Sequence, residues 1–272
     1  MAPPDIFDRR IRRLRFDRIA ASALENRWLT ARMAEEIAAR LASVKRPFSH
    51  ALIIGISDAR IETILQLMAV PYVHASPGQT SASDTHCDED RLPFADDSFD
   101  LIISIGSLDS VNDVPGALVL IRRILQPDGL FLGAMIGVDS IPLLKSISQA
   151  IEPGVSRMHP LIDVRSAGDL LARAGFAMPV ADVDSMTVHY AKFQTLIADL
   201  RANTLSNSLV TRPPMRRGWL GEAQRRFEQS NHIETFSIIF MSGWKPLPAY
   251  FAQTSASRRP ISGRSAGGIS IV

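Results

Sequence analysis

The side chains able to do chemistry gather in the middle of the chain. Asp88, Asp109, Asn112 and Asp113 share one stretch, with Asp96, Asp97 and Asp100 between them. Asp109 follows an apolar run that reads as a strand. A carboxylate there can act as a base or hold a cationic guanidinium, and the alternative is a helix-capping or loop acid. Asn112 and Asp113 precede a helical pattern and are expected to cap it. Asp96, Asp97 and Asp100 fall in a turn and are expected to be solvated. His86 stands beside Cys87, but no second pair lies at ligand spacing and His159, His189 and His232 are scattered, so no metal site is expected. Cys87 is the sole cysteine. It excludes an internal disulfide framework, lacks a recognisable base partner, and reads as a half-buried loop thiol. Tyr190 follows a strand and either faces a substrate cavity or packs in the core.

The elements that must position these groups are legible as short apolar runs and helical periodicities. Residues 51–55 form an apolar run ending in Gly55, the first expected strand. Residues 71–75, 99–104, 130–135, 183–190 and 235–243 read as further strands, and 76–90 as a polar loop. Helices are expected at 28–44, 58–69, 115–125, 166–174 and 191–202. Near-continuous apolar strands alternating with helices imply an α/β, doubly wound, mostly parallel sheet. The last two strands are expected to finish it as an antiparallel pair. In such a sheet ligands bind at the carboxyl ends of the strands. The loop Gly55-Ile56-Ser57-Asp58-Ala59 is therefore the first place for a nucleotide, although one glycine alone is a weak motif and Asp58 also suits a helix cap.

Composition bounds the rest. With 46% hydrophobic and 21% charged residues among 272, a large core can form. No apolar run approaches the length of a membrane-spanning helix. The net charge of +2 is uneven: residues 1–20 carry six arginines against three aspartates, and residues 254–272 carry three arginines and no acid. The body between these ends is net acidic, which argues against nucleic-acid binding. Three aspartates in the leader also argue against a mitochondrial transit peptide. Phe7, Ile11 and Leu14 fall on one helical face and are expected to dock on the body. The organisation expected is 1–45 as N-terminal helices packed on the core, 46–250 as the main domain, and 251–272 as a disordered tail.

The stretch from Asp88 to Met135 resembles the class I S-adenosylmethionine-dependent methyltransferases. The likeness rests on Leu92-Pro93-Phe94, Ser98-Phe99-Asp100, Val111-Asn112-Asp113 and Leu125-Gln126-Pro127-Asp128-Gly129. Ile6-Phe7-Asp8-Arg9-Arg10, Gly133-Ala134-Met135, Arg173-Ala174-Gly175-Phe176 and Gly243-Trp244-Lys245 extend it to residues 6–246. They point to the branch that holds the biotin-synthesis malonyl-carrier-protein methyltransferase and the mitochondrial complex I assembly factor, an arginine hydroxylase. The resemblance implies a seven-stranded sheet and S-adenosylmethionine as cofactor, held by Ile54, Gly55, Ser57, Asp88, Ser104 and Ile105. It also implies a protein or acyl-carrier substrate, a complex I subunit among the candidates, and residence in a bacterial cytoplasm or mitochondrial matrix. Asp109 stands where the branch commonly has histidine. The family's glycine-rich loop is reduced here to Gly55 with Ser57 and Ala59. The acid expected at the end of the second strand is replaced by His74, Ala75 or Ser76. These departures imply weak cofactor binding or its loss, and with the loss a non-methylating assembly or chaperone role. Hydroxylation would need an oxidant and a metal, for which the sequence shows no ligand set.

Overall fold

The computed structural model describes residues 5–22, 27–78, 83–158, 160–203 and 205–248. The proposed tail, 251–272, lies outside the described residues. Inside the sheet, third of its seven strands, is β1 (Ala51–Gly55), buried at every position as its unbroken apolar run requires. On one side come β2 (Tyr72–Ser76) and β3 (Thr85–His86). On the other come β4 (Phe99–Ile105), β5 (Leu125–Ile136), β7 (Ile233–Trp244) and β6 (Ala177–His189), giving the order β3-β2-β1-β4-β5-β7-β6. The strands β3 to β5 pair in parallel, whereas β7 runs antiparallel to both β5 and β6. The doubly wound, seven-stranded, mostly parallel sheet is as expected. The two-residue β3 is an addition, because the polar run 76–90 carries no apolar strand pattern.

Helices cover both faces. On one, α2 (Trp28–Ser43) buries Leu29, Met33, Ile37 and Leu41 in the larger apolar cluster, with Ile53 and Ile103 of the sheet. On the other, α4 (Val114–Ile124) and α6 (Val164–Arg173) pack with Leu52, Ile102 and Phe131. Between β1 and β2 lies α3 (Ala59–Leu67), whose N-cap is Asp58, accepting from the Arg60 amide. Asp113 caps α4 by accepting from the Gly116 amide at 2.8 Å. Helices α5 (Pro142–Ile151), α7 (Phe193–Ala202) and α8 (Trp219–Glu228) complete the chain. Among these, α5 and α8 have no counterpart in the sequence expectations. Ile141, in the left-handed region, leads into α5. The buried Glu234 carboxylate, on β7, then accepts from the Leu143 and Leu144 amides at 3.1 and 3.0 Å. An anion at a helix start answers the unpaired amides there, so a distant strand helps fix this helix.

Three expectations need correction. Asp100 is buried, not solvated. Its carboxylate accepts from the Ser49 amide and hydroxyl and from the His50 amide, all within 2.9 Å, fixing the chain as it enters β1 against β4. Asn112 does not cap α4. Its side chain accepts from the Ile6 and Phe7 amides and donates to the Phe7 carbonyl, pinning the N-terminal segment to the body. The first helix, α1 (Arg9–Ala21), is N-capped by Asp8 and buries Arg12, Phe16 and Ile19. Of the expected docking face, Phe7 is buried and Ile11 half-buried, but Leu14 is exposed. Hydrophobic periodicity misplaces the far end of the face because an arginine occupies a core position.

Asp100→Ala leaves three donors without an acceptor at a buried junction. A loss of about 2–3 kcal/mol is expected, seen as a melting temperature lower by roughly 5–10 °C. An unchanged melting curve would contradict this role.

Candidate functional site

The sheet register brings four of the expected cofactor residues into one place. Ile54 pairs with Ser104, and Gly55 with Ile105, at the carboxyl ends of adjacent strands β1 and β4. Gly55 has φ +92°, and a Cβ there would lie 2.6 Å from the Ser107 Cβ and 2.7 Å from the Ile105 carbonyl oxygen. Only glycine combines that backbone conformation with so close an approach. The side chains of Ile54 and Ile105 are buried in the two apolar clusters, so only their backbone is available to a ligand. The Ser104 hydroxyl is buried, 3.2 Å from that of Ser107. The Ser57 hydroxyl is already engaged by Glu62 at 2.5 Å.

Over these strand ends lies α1. Its Phe16 and Ile19 form a small apolar cluster with Ile56 of the glycine loop. One turn earlier, Arg12 enters the crevice and is 3% exposed. The guanidinium donates to the Ser110 hydroxyl at 3.0 Å, the Asp88 carboxylate at 3.2 Å and the Ser107 carbonyl at 2.9 Å. It also lies 2.7 Å from Glu89 Oε2 and stacks over the Phe16 ring, 5.0 Å from its centroid. Asp88 is the acid that the resemblance places beside an adenine. It is shared among Arg9, Arg12 and Arg13, all within 3.3 Å. Arg9 forks onto Asp90 at 2.8 and 2.6 Å, a bidentate pair that fastens the start of α1.

Asp109 sits in the 3₁₀ turn Leu108–Ser110, buried and without a salt-bridge partner among the described residues. Burial pushes its pKa up to about 6, against the opposing pull of Arg12 and the Ile136 amide, while Glu89 pushes it further up. Glu89 is raised as well, by burial first, with Arg12 opposing. Two buried carboxyls with raised pKa values therefore feel one guanidinium, Glu89 in contact with it and Asp109 through its charge. This is how a site prepares a group for proton transfer or for binding a cation. Beyond the Ile136 amide the chain reaches Val138, which lines a cavity of about 630 Å³ with Lys145, Ser148, Arg157, Met158 and Leu161. Ser148 has a buried hydroxyl without a partner. Burial lowers the pKa of Lys145, which donates to the Val138 carbonyl at 2.6 Å.

Tyr190 stands apart from this assembly. It is buried in the larger core cluster, and its hydroxyl donates to Asp199 at 3.0 Å. Cys87 is half-buried, with its thiol pushed up to about 12 by burial and by the neighbouring acids Glu89 and Asp88, so it is a poor nucleophile. Among the described residues no group of three or more His, Cys, Asp or Glu side chains is placed to hold a metal. Sequence reading misses Arg12 and Glu89. The only signal for Arg12 is its helical spacing to Phe16 and Ile19, visible once an arginine is allowed on a buried face.

Arg12→Met leaves the buried Glu89 and Asp109 without the cation that offsets them, while Asp88 keeps Arg9 and Arg13. Breaking one partner of a buried ion cluster costs about 3–5 kcal/mol. The deficit is expected to shrink between pH 7 and pH 5 in denaturant titrations, as Asp109 takes up its proton. A deficit that is the same at both pH values would contradict the cluster. Asp109 makes the opposite contribution. Its folded pKa is raised, so the native state holds a proton that the unfolded chain has lost, and stability falls as pH rises from about 4 through 6. Asp109→Asn should therefore gain about 2–3 kcal/mol on the wild type on going from pH 4 to pH 7. A constant difference across that range would show that Asp109 is ionised throughout.

Residues 63–133 match the family described as Methyltransferase domain. The arginine-hydroxylase NDUFAF5 of Danio rerio is 31% identical over 271 aligned residues, covering 89% of this chain and 83% of that protein. The human counterpart is 32% identical, covering 89% and 77%. Malonyl-[acyl-carrier protein] O-methyltransferase of Laribacter hongkongensis is 30% identical, covering 58% of this chain and 55% of that enzyme. Among solved structures, the YcgJ protein of Bacillus subtilis superposes with a TM-score of 0.54 at 14% identity, covering 80% of this chain and 99% of its own, a likeness of fold. The fold and the matched domain imply S-adenosylmethionine as the ligand of the strand-end crevice. With α1 seated, the space among Phe16, Ile19, Ile56, Ser57, His74 and Ser76 is about 210 Å³. That is below the roughly 300–1,000 Å³ of small-molecule sites, and His74 turns its ring to the Gly55 carbonyl at 3.0 Å where a ribose-binding acid would stand. In sequence, domain and fold, the chain belongs to the family of the arginine-hydroxylase NDUFAF5, with the class I S-adenosylmethionine-dependent methyltransferase fold.

Proposed function

We propose that this protein binds S-adenosylmethionine weakly, at the carboxyl ends of β1 and β4, and acts on a group carried by a protein or carrier partner. The observation that carries the reading is the pairing of Gly55 with Ile105 at the strand ends, with Gly55 lining the crevice beneath Phe16 and Ile19 of α1. Ile54, Gly55, Ser57, Asp88, Ser104 and Ile105 are the residues we assign to the cofactor. Gly55 and Ser57 line the crevice, Ser57 having to exchange Glu62 for the ligand, and Asp88 having to leave its arginines. Asp109, buried with a raised pKa, is the candidate group for proton transfer or for holding a cation. Tyr190 reaches Asp199 instead, and we assign it to the core.

A second reading follows from the crevice itself. Its acids already hold one guanidinium, that of Arg12, and the same set suits an arginine side chain presented by another protein. In that reading the protein is a non-methylating assembly factor, consistent with relatives named for arginine hydroxylation. A complex I subunit is the partner we would test first.

Calorimetric titration with S-adenosylmethionine separates the two. A dissociation constant of tens of micromolar or weaker is expected. His74→Asp should tighten it about tenfold, since a bidentate acceptor for ribose hydroxyls contributes roughly 1.5–3 kcal/mol. Submicromolar binding by the wild type would show that the crevice is open in solution. No heat at millimolar ligand, for wild type and variant alike, would leave the assembly-factor reading standing alone.

A further inference from the structure

The outward side of α1 carries a feature that neither reading uses. Arg15, on α1, is half-buried, and its Nε has no partner. Its terminal nitrogen reaches only the Asn207 carbonyl, at 3.4 Å. Around it gather Arg18 from the same helix, Arg201 from α7 and Arg212 from the segment after α7. Burial lowers the Arg15 pKa first, and repulsion from Arg18, Arg212 and Arg201 lowers it further. The Asp8 carboxylate is 3.6 Å from Arg212. Among the described residues no other carboxylate makes a salt bridge with any of the four. Like charges held together without counter-charge cost stability, unless a ligand of opposite sign compensates.

Apolar side chains lie on the same surface. The segment after α7 is bound edge-on to the start of the chain, with the Asp8 amide on the Ser208 carbonyl and the Val210 amide on the Ile6 carbonyl. Ile6 and Val210 are each about half exposed there, and so is Leu14 on α1. On a helix Leu14 is the neighbour of both Arg10 and Arg18, four residues away on either side. Exposed aliphatic side chains interleaved with four guanidiniums that share one carboxylate among the described residues suit a surface that is itself acidic and apolar. No aromatic side chain is among the large apolar groups exposed on the described residues, so a stacking platform for bases is lacking. Leu14 is the only large apolar residue exposed on α1, too little for a helix that beds into lipid.

We infer that the Arg15, Arg18, Arg201 and Arg212 cluster, with Leu14 and Val210, is a docking surface for an acidic amphipathic segment of a partner protein. Binding there uses the outer side of the same helix whose inner side closes the crevice. The inference stands whether or not S-adenosylmethionine binds, and its test is made without cofactor.

The probe is a fluorescein-labelled helical peptide with glutamate and leucine on one face, followed by anisotropy on the full chain at 0.15 M salt. Binding at about 10 µM is expected, of the order of specific but transient contacts. Leu14→Ser and the pair Arg18→Glu with Arg201→Glu should each weaken it at least tenfold. Arg173→Glu, an exposed charge reversal on α6, should leave it unchanged. Thermal melting of each variant confirms that the fold is retained. Absence of binding, or equal loss with Arg173→Glu, would overturn the proposal. So would tighter binding of anionic phospholipid vesicles or a single-stranded oligonucleotide that ignores Leu14→Ser, because the surface would then serve a membrane or a nucleic acid.

Discussion

The architecture of the site depends on one buried cation. Arg12 enters an acidic crevice whose carboxylates come from the loop after β3 and the turn after β4, and it brings α1 with it. A guanidinium is expensive to bury, and so are Glu89 and Asp109; each is tolerable only because the others are present. The cluster therefore behaves as a unit. Once it is assembled, Phe16 and Ile19 come down on Ile56, and the Arg9–Asp90 pair and the Asn112 clasp on Ile6 and Phe7 hold the approach to the helix. Apolar contact alone would be a thin anchor for a helix with so few buried residues.

This arrangement explains why the glycine loop can diverge. In a fold whose nucleotide site opens at the strand ends, successive glycines let the backbone approach the ligand. Here the approach is made by the protein's own helix. Gly55 is retained for an internal reason, the contact of its backbone with Ser107 and Ile105. Ile56 and Ser57 have partners of their own in α1 and Glu62. His74, at the end of β2, is satisfied by the Gly55 carbonyl. In the proposed reading, ligand binding displaces contacts already made, and apparent affinity is lowered by the fraction of molecules in the open form.

Much of the fold was legible because buried parallel strands and amphipathic helices leave strong patterns, as in β1, β4 and α4. The Asp58 and Asp113 caps were legible because capping is local. What escaped was set by partners far along the chain. Asp100 reads as a turn acid until Ser49 and His50 are seen to point at it. Asn112 reads as a cap until the N-terminal segment supplies its donors. The short β3 exists only as an addition to β2. The face of α1 was misread for the same reason that makes the site interesting, since its central buried residue is charged and only the acids some 75 residues away show why. Pairing of Ile54 with Ser104 and Gly55 with Ile105 followed from the family likeness, whereas the closing of that crevice by Arg12 did not.

In the proposed reading α1, held by Arg12, and S-adenosylmethionine compete for the same space. Hydrogen–deuterium exchange of the α1 amides, followed as S-adenosylmethionine is added to the wild-type protein, reads that competition. Residues 12–20 are expected to lose protection as the ligand binds, with Asp88 and Glu89 released from Arg12. Binding that leaves those amides as protected as before, or more so, would contradict it, because α1 would then be part of the cofactor's site.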